Sequence, residues 1–285
     1  MIIILKSAIL GIIQGLTEFI PVSSSGHLIL IPKLFGWHDE WMPGTTTGST
    51  ISTTALAFSV ALHMGTLLAL LVFFYREWIP LIKGFFTGFT TRPSAWNKHQ
   101  RLAWILVLAT IPAGVIGAAF GDAIEGHLST PFWIAICLIV ASFVMLAAQY
   151  FGSKARGMDH LGARDGFLIG TAQVFALAPG VSRSGITMSG GLFSGLDFEA
   201  AARFAFLLAA PVMAGTGIFQ GAKLAKEGLP PDLLKIFLPG FVTAAIVGGI
   251  TIKYMLKYLR KGNFTPFVIY RLAVGAAVLI ILAVT

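Results

Sequence analysis

Two short stretches hold the side chains best suited to chemistry. The first carries Gln14, Glu18, Ser23, Ser24, Ser25 and His27; the second carries Ser182, Arg183, Ser184 and Thr187. They are one pattern written twice. At a constant offset of 159 residues, Gly11 matches Gly170, Gln14 matches Gln173, Ser23 matches Ser182, Ser25 matches Ser184 and Gly26 matches Gly185. The positions that differ carry the reactive groups. Glu18 and His27 stand against Leu177 and Ile186, and Arg183 stands against Ser24. The pattern implies one backbone turn used twice, with complementary side chains on the two copies.

The chemistry this set could do follows from the residue types. In Pro179-Gly-Val-Ser-Arg-Ser-Gly185, backbone N–H groups, the hydroxyls of Ser182 and Ser184 and the Arg183 guanidinium can converge on one anion. A turn rich in donors and poor in acceptor side chains suits phosphate. Gln14 and Glu18 lie four apart, on one face of a short helix. Their oxygens could hold Mg²⁺ or Ca²⁺, with water and substrate phosphate completing the shell. His27 follows Ser24 by three residues, close enough in a tight turn to take its proton as general base for a serine nucleophile. Activated water and His27 itself remain alternative nucleophiles. The competing reading of Arg183 and Glu18 is a buried pair that clamps two segments, and single serines often cap helices or turns. His63 falls mid-span, where it would face a cavity or bond a neighbouring helix.

The elements that position these groups are membrane elements. Hydrophobic residues make up 56% of the 285 and charged residues only 11%, far from a soluble domain. Apolar runs of spanning length fall at about 52–75, 101–121, 130–151, 199–222, 236–258 and 265–284, too long and continuous for barrel strands. Two further apolar stretches, 1–35 and 166–195, are broken by Pro, Gly and Ser at the motifs. Broken backbone at membrane depth must line a cavity or be buried in protein. The reading is therefore an all-α integral membrane protein, a single polytopic domain over 1–285, with six transmembrane helices and two re-entrant helical hairpins. Each half, about 1–151 and 166–285, holds one hairpin and three spans, so the second enters the bilayer inverted. A loop covers 36–51, a basic loop 76–101, an acidic turn Asp122 and Glu125, and a polar connector 152–165.

The net charge of +8 sits in loops and reports topology rather than a nucleic-acid partner. Loops 76–101, 152–165, 195–203 and 253–271 carry most of the 20 Lys and Arg. Placing them in the cytoplasm puts both termini and the first hairpin at the outer face of the membrane. The N-terminal run lacks the charged region and cleavage site of a signal peptide, and lone Cys137 forms no disulfide framework. Oligomeric state stays open, with a homodimer among the options.

Gln14-Gly-Leu-Thr-Glu18-Phe-Ile-Pro-Val-Ser-Ser-Ser-Gly-His27 and Pro179-Gly-Val-Ser-Arg-Ser-Gly-Ile-Thr187 resemble the two signatures of the bacterial undecaprenyl-diphosphate phosphatases, the bacitracin-resistance protein family. The likeness runs along essentially the whole chain. It implies hydrolysis of undecaprenyl (C55 polyprenyl) diphosphate to the monophosphate and inorganic phosphate, recycling the cell-wall lipid carrier. It also implies a divalent metal and a site at the outer side of the cytoplasmic (inner) membrane. Carried over by position, Glu18 would serve metal or catalysis, and Ser24 with His27 would be nucleophile and base. Arg183, Ser182, Ser184 and Thr187 would bind the diphosphate, with Ser23 and Ser25 contributing from the first turn. Many members have Glu where this chain has Gln14, which weakens a metal ligand on charge grounds. The acid-phosphatase-like pattern does not fit: its His position is Ser189 and its Lys position is Phe85. The alternative class is a transporter or flippase of polyprenyl phosphates, because inverted repeats with broken helices also build carriers.

Overall fold

The computed structural model describes residues 2–37, 39, 41–42, 46–47, 50–227 and 233–284. Helices α1 (Ile2–Thr17) and α2 (Ser24–Leu34) flank the first motif turn. After them come α3 (Thr53–Phe73), α4 (Tyr75–Gly88), α5 (Lys98–Leu128) and α6 (Pro131–Phe151). Helices α7 (Ala163–Val174) and α8 (Arg183–Phe193) flank the second turn, and α9 (Phe198–Glu227), α10 (Leu233–Leu259) and α11 (Thr265–Val284) close the chain. Among the described residues, the only strands are a two-rung pair, Thr46–Thr47 with Thr50–Ile51. His38, Glu40 and part of the expected 36–51 loop lie outside the described residues.

Six helices, α3, α5, α6, α9, α10 and α11, are long and apolar enough to cross a membrane, which marks a multi-pass membrane protein. Two sequence expectations need correction. The basic loop at 76–101 contains α4, whose apolar residues recur at helical spacing and had been masked by neighbouring charges. The acidic turn with Asp122 and Glu125 is the last part of α5, which runs on to Leu128 without a break.

Helix α9 is central. From Ala200 to Ala210 nearly every side chain is buried, with Phe204, Phe206 and Leu207 packed against residues of α3 and α5 such as Leu70 and Ile105. Exposed side chains such as Phe143, Ile218 and Ile246 face outward. With lipid as solvent, such burial drives association weakly, and close helix packing carries more of the load. Glycine makes that packing available. Helix α1 lies on α10 and α7 lies on α5. A Cβ on Gly11 would stand 2.2 Å from the Gly240 carbonyl oxygen, and one on Gly170 would stand 2.2 Å from that of Ala109. These matched positions of the two motifs are thus the contact points of α1 and α7.

Candidate active site

The two motif turns fold alike, and the cause is visible in their backbone. Helices α2 and α8 are 11 residues each and start at Ser24 and Arg183, which are matched positions. The residue before each, Ser23 and Ser182, has φ of 77° and 76°, a region that non-glycine residues seldom occupy. Each serine hydroxyl accepts a hydrogen bond from the backbone N–H three residues on, Gly26 at 3.3 Å and Gly185 at 3.2 Å. That is an N-cap. Neighbouring hydroxyls approach in the same way, Ser23 to Ser25 at 3.4 Å and Ser182 to Ser184 at 3.2 Å.

The turns meet each other. The Gly180 N–H donates to the Ser23 hydroxyl at 3.1 Å, and the Ser184 hydroxyl donates to the Ile20 carbonyl at 3.4 Å. Gly180 has φ of 102°, and a Cβ there would lie 2.6 Å from the Ile134 carbonyl oxygen, so only glycine fits. Beneath the turns sits Arg271 of α11, fully buried. Its guanidinium donates to the carbonyls of Pro21 at 3.1 Å, Gly180 at 3.0 Å, Val181 at 3.1 Å and Leu138 at 3.2 Å, and to the Ser142 hydroxyl at 3.0 Å. One cation thereby fastens both turns to α6. This corrects the assignment of Arg271 to a cytoplasmic loop.

Glu18 is the hub of the polar cluster. It is 6% exposed. One carboxylate oxygen, Oε1, accepts from the Arg183 guanidinium. The other, Oε2, accepts from the Ser24 hydroxyl at 2.6 Å and from Gln14 Nε2 at 2.9 Å. The 2.6 Å bond is in the short range for a hydroxyl on a charged acceptor. His63 approaches the same oxygen, its Nε2 3.7 Å away, while its Nδ1–H donates to the Ser59 carbonyl at 2.8 Å. His63 therefore faces the cluster.

His27 is placed differently from the expectation. Its Nδ1–H donates to the Ser23 carbonyl at 2.7 Å, and in the neutral ring Nε2 accepts from the Tyr270 hydroxyl at 2.7 Å. The two rings also stack, centroids 5.6 Å apart. Both nitrogens are committed, so the His27–Ser24 pair does not form; the helical turn points the two side chains apart, and Glu18 takes His27's place as acceptor of the Ser24 hydroxyl. Of the expected phosphate donors, Ser24, Ser25 and Arg183 are partly exposed, whereas Ser182 and Thr187 are buried. Thr187 Oγ1 bonds back to the Arg183 carbonyl at 2.7 Å.

One corner of this cluster offers oxygens of the kind a divalent cation takes. The Gln14 side-chain oxygen is buried without a partner, beside the Glu18 carboxylate that its own Nε2 touches. An amide oxygen and a carboxylate suit a hard cation such as Mg²⁺ or Ca²⁺. Among the described residues, no three His, Cys, Asp or Glu side chains lie close enough to cage a metal, so ligands from substrate and water would have to complete the shell.

A family profile described as bacitracin resistance protein BacA matches residues 7–277. The chain belongs to the BacA family. Relatives named undecaprenyl-diphosphatase include one from Thermomicrobium roseum, 38% identical over 98% of both chains. A second, from Pelotomaculum thermopropionicum, is 41% identical over 98% of this chain and 97% of its own. A third, from Geotalea daltonii, is 40% identical over 96% and 97%. BacA membership covers both turns and the helices that hold them.

Two contributors to this BacA-family site, Tyr270 and Arg271, escape a reading centred on the motifs. A signal for them exists. Thr130-Pro131-Phe132 opens α6 and Thr265-Pro266-Phe267 opens α11, so these helices are also a related pair, and they pack together. Within that pair, Tyr270 and Arg271 stand where α6 has Ala135 and Ile136.

Proposed function

We propose that this protein hydrolyses the terminal phosphate of undecaprenyl diphosphate, with Ser24, Glu18 and Arg183 as its catalytic residues. The observation that carries the chemistry is the 2.6 Å hydrogen bond from the Ser24 hydroxyl to a Glu18 carboxylate that also holds Arg183. Glu18 accepts the Ser24 proton as the serine oxygen forms a bond to the terminal phosphorus. The bond from phosphorus to the bridging oxygen breaks, and the lipid monophosphate leaves. Water then attacks the phosphorus of the phosphoserine and loses a proton to solvent; the bond from phosphorus to the serine oxygen breaks, protonated Glu18 returns its proton to that oxygen, and inorganic phosphate is released. Arg183 uses one N–H on Glu18 and has others for phosphoryl oxygens, where charge grows during transfer. The free N–H groups at the starts of α2 and α8 lie beside Ser24 and Arg183 and favour anionic oxygens. Gln14 and Glu18 would hold the divalent cation, which supplies charge neutralisation on the diphosphate. His27, fixed by Ser23 and Tyr270, positions the first turn.

The proposed architecture is an inverted repeat of two re-entrant hairpins. The packing of α1 on α10 and of α7 on α5, the paired caps and the 159-residue offset support it. The distribution of Lys and Arg supports an inner-membrane site opening to the outer face. Cysteine labelling in a Cys137→Ser background tests the sidedness: Lys6→Cys reacts from outside and Lys98→Cys does not. A carrier needs an anion-binding Arg but no serine held by a carboxylate, so the Ser24–Glu18 bond favours chemistry over transport. Purified protein in detergent should release phosphate from undecaprenyl diphosphate when a divalent cation is present. Failure with every such cation would turn the reading toward a carrier.

A further inference from the structure

A second polar site lies away from the Glu18–Arg183 cluster and shares no residue with it. Helix α4, the start of α5, the connector near Met158–Leu161 and the start of α9 enclose a cavity of about 450 Å³. Its floor is apolar, built partly from the buried side chains Leu81, Ile105 and Leu161. Its rim carries Arg76, Lys98, Arg101 and Arg203 against two carboxylates, Glu77 and Asp159. Glu77 is taken by Arg203 at 2.8 Å. Arg76 donates only to the Tyr75 hydroxyl at 2.7 Å, and among the described residues Lys98 and Arg101 have no side-chain hydrogen bond or ion pair. Among the described residues, Arg76, Lys98 and Arg101 form no ion pair, and the rim carries them against the one remaining carboxylate, Asp159.

The walls are firm. Gly84 of α4 lies against the His99 and Gln100 backbone, and Gln100 bonds Thr87 and Thr91 at 3.1 and 3.2 Å. Trp96 reaches back to the Gly88 and Thr91 carbonyls at 3.2 and 3.0 Å. The same α4 turns a stripe of exposed apolar side chains outward, Ile79, Ile82 and Phe86, continued by Phe89 just past its end. An amphipathic helix with that stripe lies in a membrane interface, which places the cationic rim at headgroup level.

We propose that this cavity binds the phosphate headgroup of an anionic membrane phospholipid. The cations take the phosphate, and the apolar floor takes the first carbons of the lipid. A free inorganic phosphate would use the rim and leave that floor wet, so the geometry favours the lipid. The test uses the full chain in neutral detergent without divalent metal, titrated with short-chain phosphatidylglycerol, phosphatidylcholine of equal chain length, or inorganic phosphate. Saturable binding is expected for phosphatidylglycerol alone. The pair Lys98→Gln/Arg101→Gln should weaken it about tenfold to thirtyfold, as expected for two basic contacts. The exposed pair Lys253→Gln/Lys257→Gln on α10 should leave it unchanged. An equal loss in that control pair, equal binding of phosphatidylcholine, or inorganic phosphate binding as tightly as the lipid would each overturn the proposal. If the double variant loses its thermal transition, the two single variants carry the test, each expected to weaken binding severalfold.

Discussion

Replacing Glu18 by Gln isolates the step that the geometry assigns to it. The amide keeps the shape and an oxygen for the Arg183 guanidinium, but it has lost the negative charge that can draw the Ser24 proton across 2.6 Å. A positioned general base contributes about 10²–10⁴ in rate, roughly 3–5 kcal/mol in the barrier. The ground-state loss is spread over the bonds from Arg183, Ser24 and Gln14 and leaves Arg183 without its counter-charge, about 3–5 kcal/mol of stability. The thermal midpoint should therefore drop, and the rate is read on protein that still shows a folding transition. The assay is steady-state phosphate release from a water-soluble short-chain prenyl diphosphate, with a thermal midpoint taken on the same preparation. The expected result is kcat lowered by at least about 10². Raising Mg²⁺ to saturation should not restore kcat, which separates loss of a base from loss of a metal ligand. A folded Glu18→Gln enzyme with kcat within fivefold of the parent, a limit set well below the base contribution, would refute Glu18 as the base.

Four further outcomes follow. Arg183→Lys keeps charge but loses the planar fork, and kcat and kcat/KM should fall together by about 10²–10³; a rise in KM alone would reduce Arg183 to ground-state binding. His27→Gln and Tyr270→Phe should each lower kcat by no more than about tenfold, the size of effect expected for one lost hydrogen bond; complete loss in His27→Gln alone would restore it as nucleophile or base. Arg271→Leu leaves the carbonyls of Pro21, Gly180 and Val181 without their donor. It should cost about 3–5 kcal/mol of stability, read as a lowered thermal midpoint. The last concerns acid. Burial works to raise the Asp165 pKa, but hydrogen bonds from Arg156 and the Gly162 amide, with the charges of Arg156 and Arg164, outweigh it and leave it below the usual value. A depressed carboxylate stabilises the fold above its unfolded pKa and loses that contribution as pH falls through the folded one. The thermal midpoint of Asp165→Asn should lie below the parent's at neutral pH and converge with it in strong acid; a constant gap would place the effect elsewhere than in ionisation.

Much of this was legible in the sequence because it rests on local rules. Spanning helices announce themselves by length and apolar content, and the repeated turn by residue identities in register. The meeting of the two turns was legible too, from the repeat in register, whereas the direct pairing of Glu18 with Arg183 was read only as the competing, clamping alternative. Other features depended on directions that spacing alone does not give. Ser24 and His27 are three apart, yet at the start of α2 the serine turns to Glu18 and the imidazole to Tyr270. Helix α4 was hidden because its charges made the segment look like a loop. Arg271 was hidden because a basic residue near a helix end reads as an orientation signal, whereas its five hydrogen bonds are all made deep inside the protein.

The bonds of Arg271 also set an order on assembly. Every residue of the Glu18–Ser24–Arg183 cluster has been synthesised by the time α8 is complete, well before α11 emerges. Until α11 inserts, the carbonyls of Pro21, Gly180 and Val181 lack their shared donor, and the two turns are held to each other by the Gly180–Ser23, Ser184–Ile20 and Arg183–Glu18 bonds without the anchor to α6. The side chains of the reactive centre are thus all made well before the one residue that fastens both of their turns to α6.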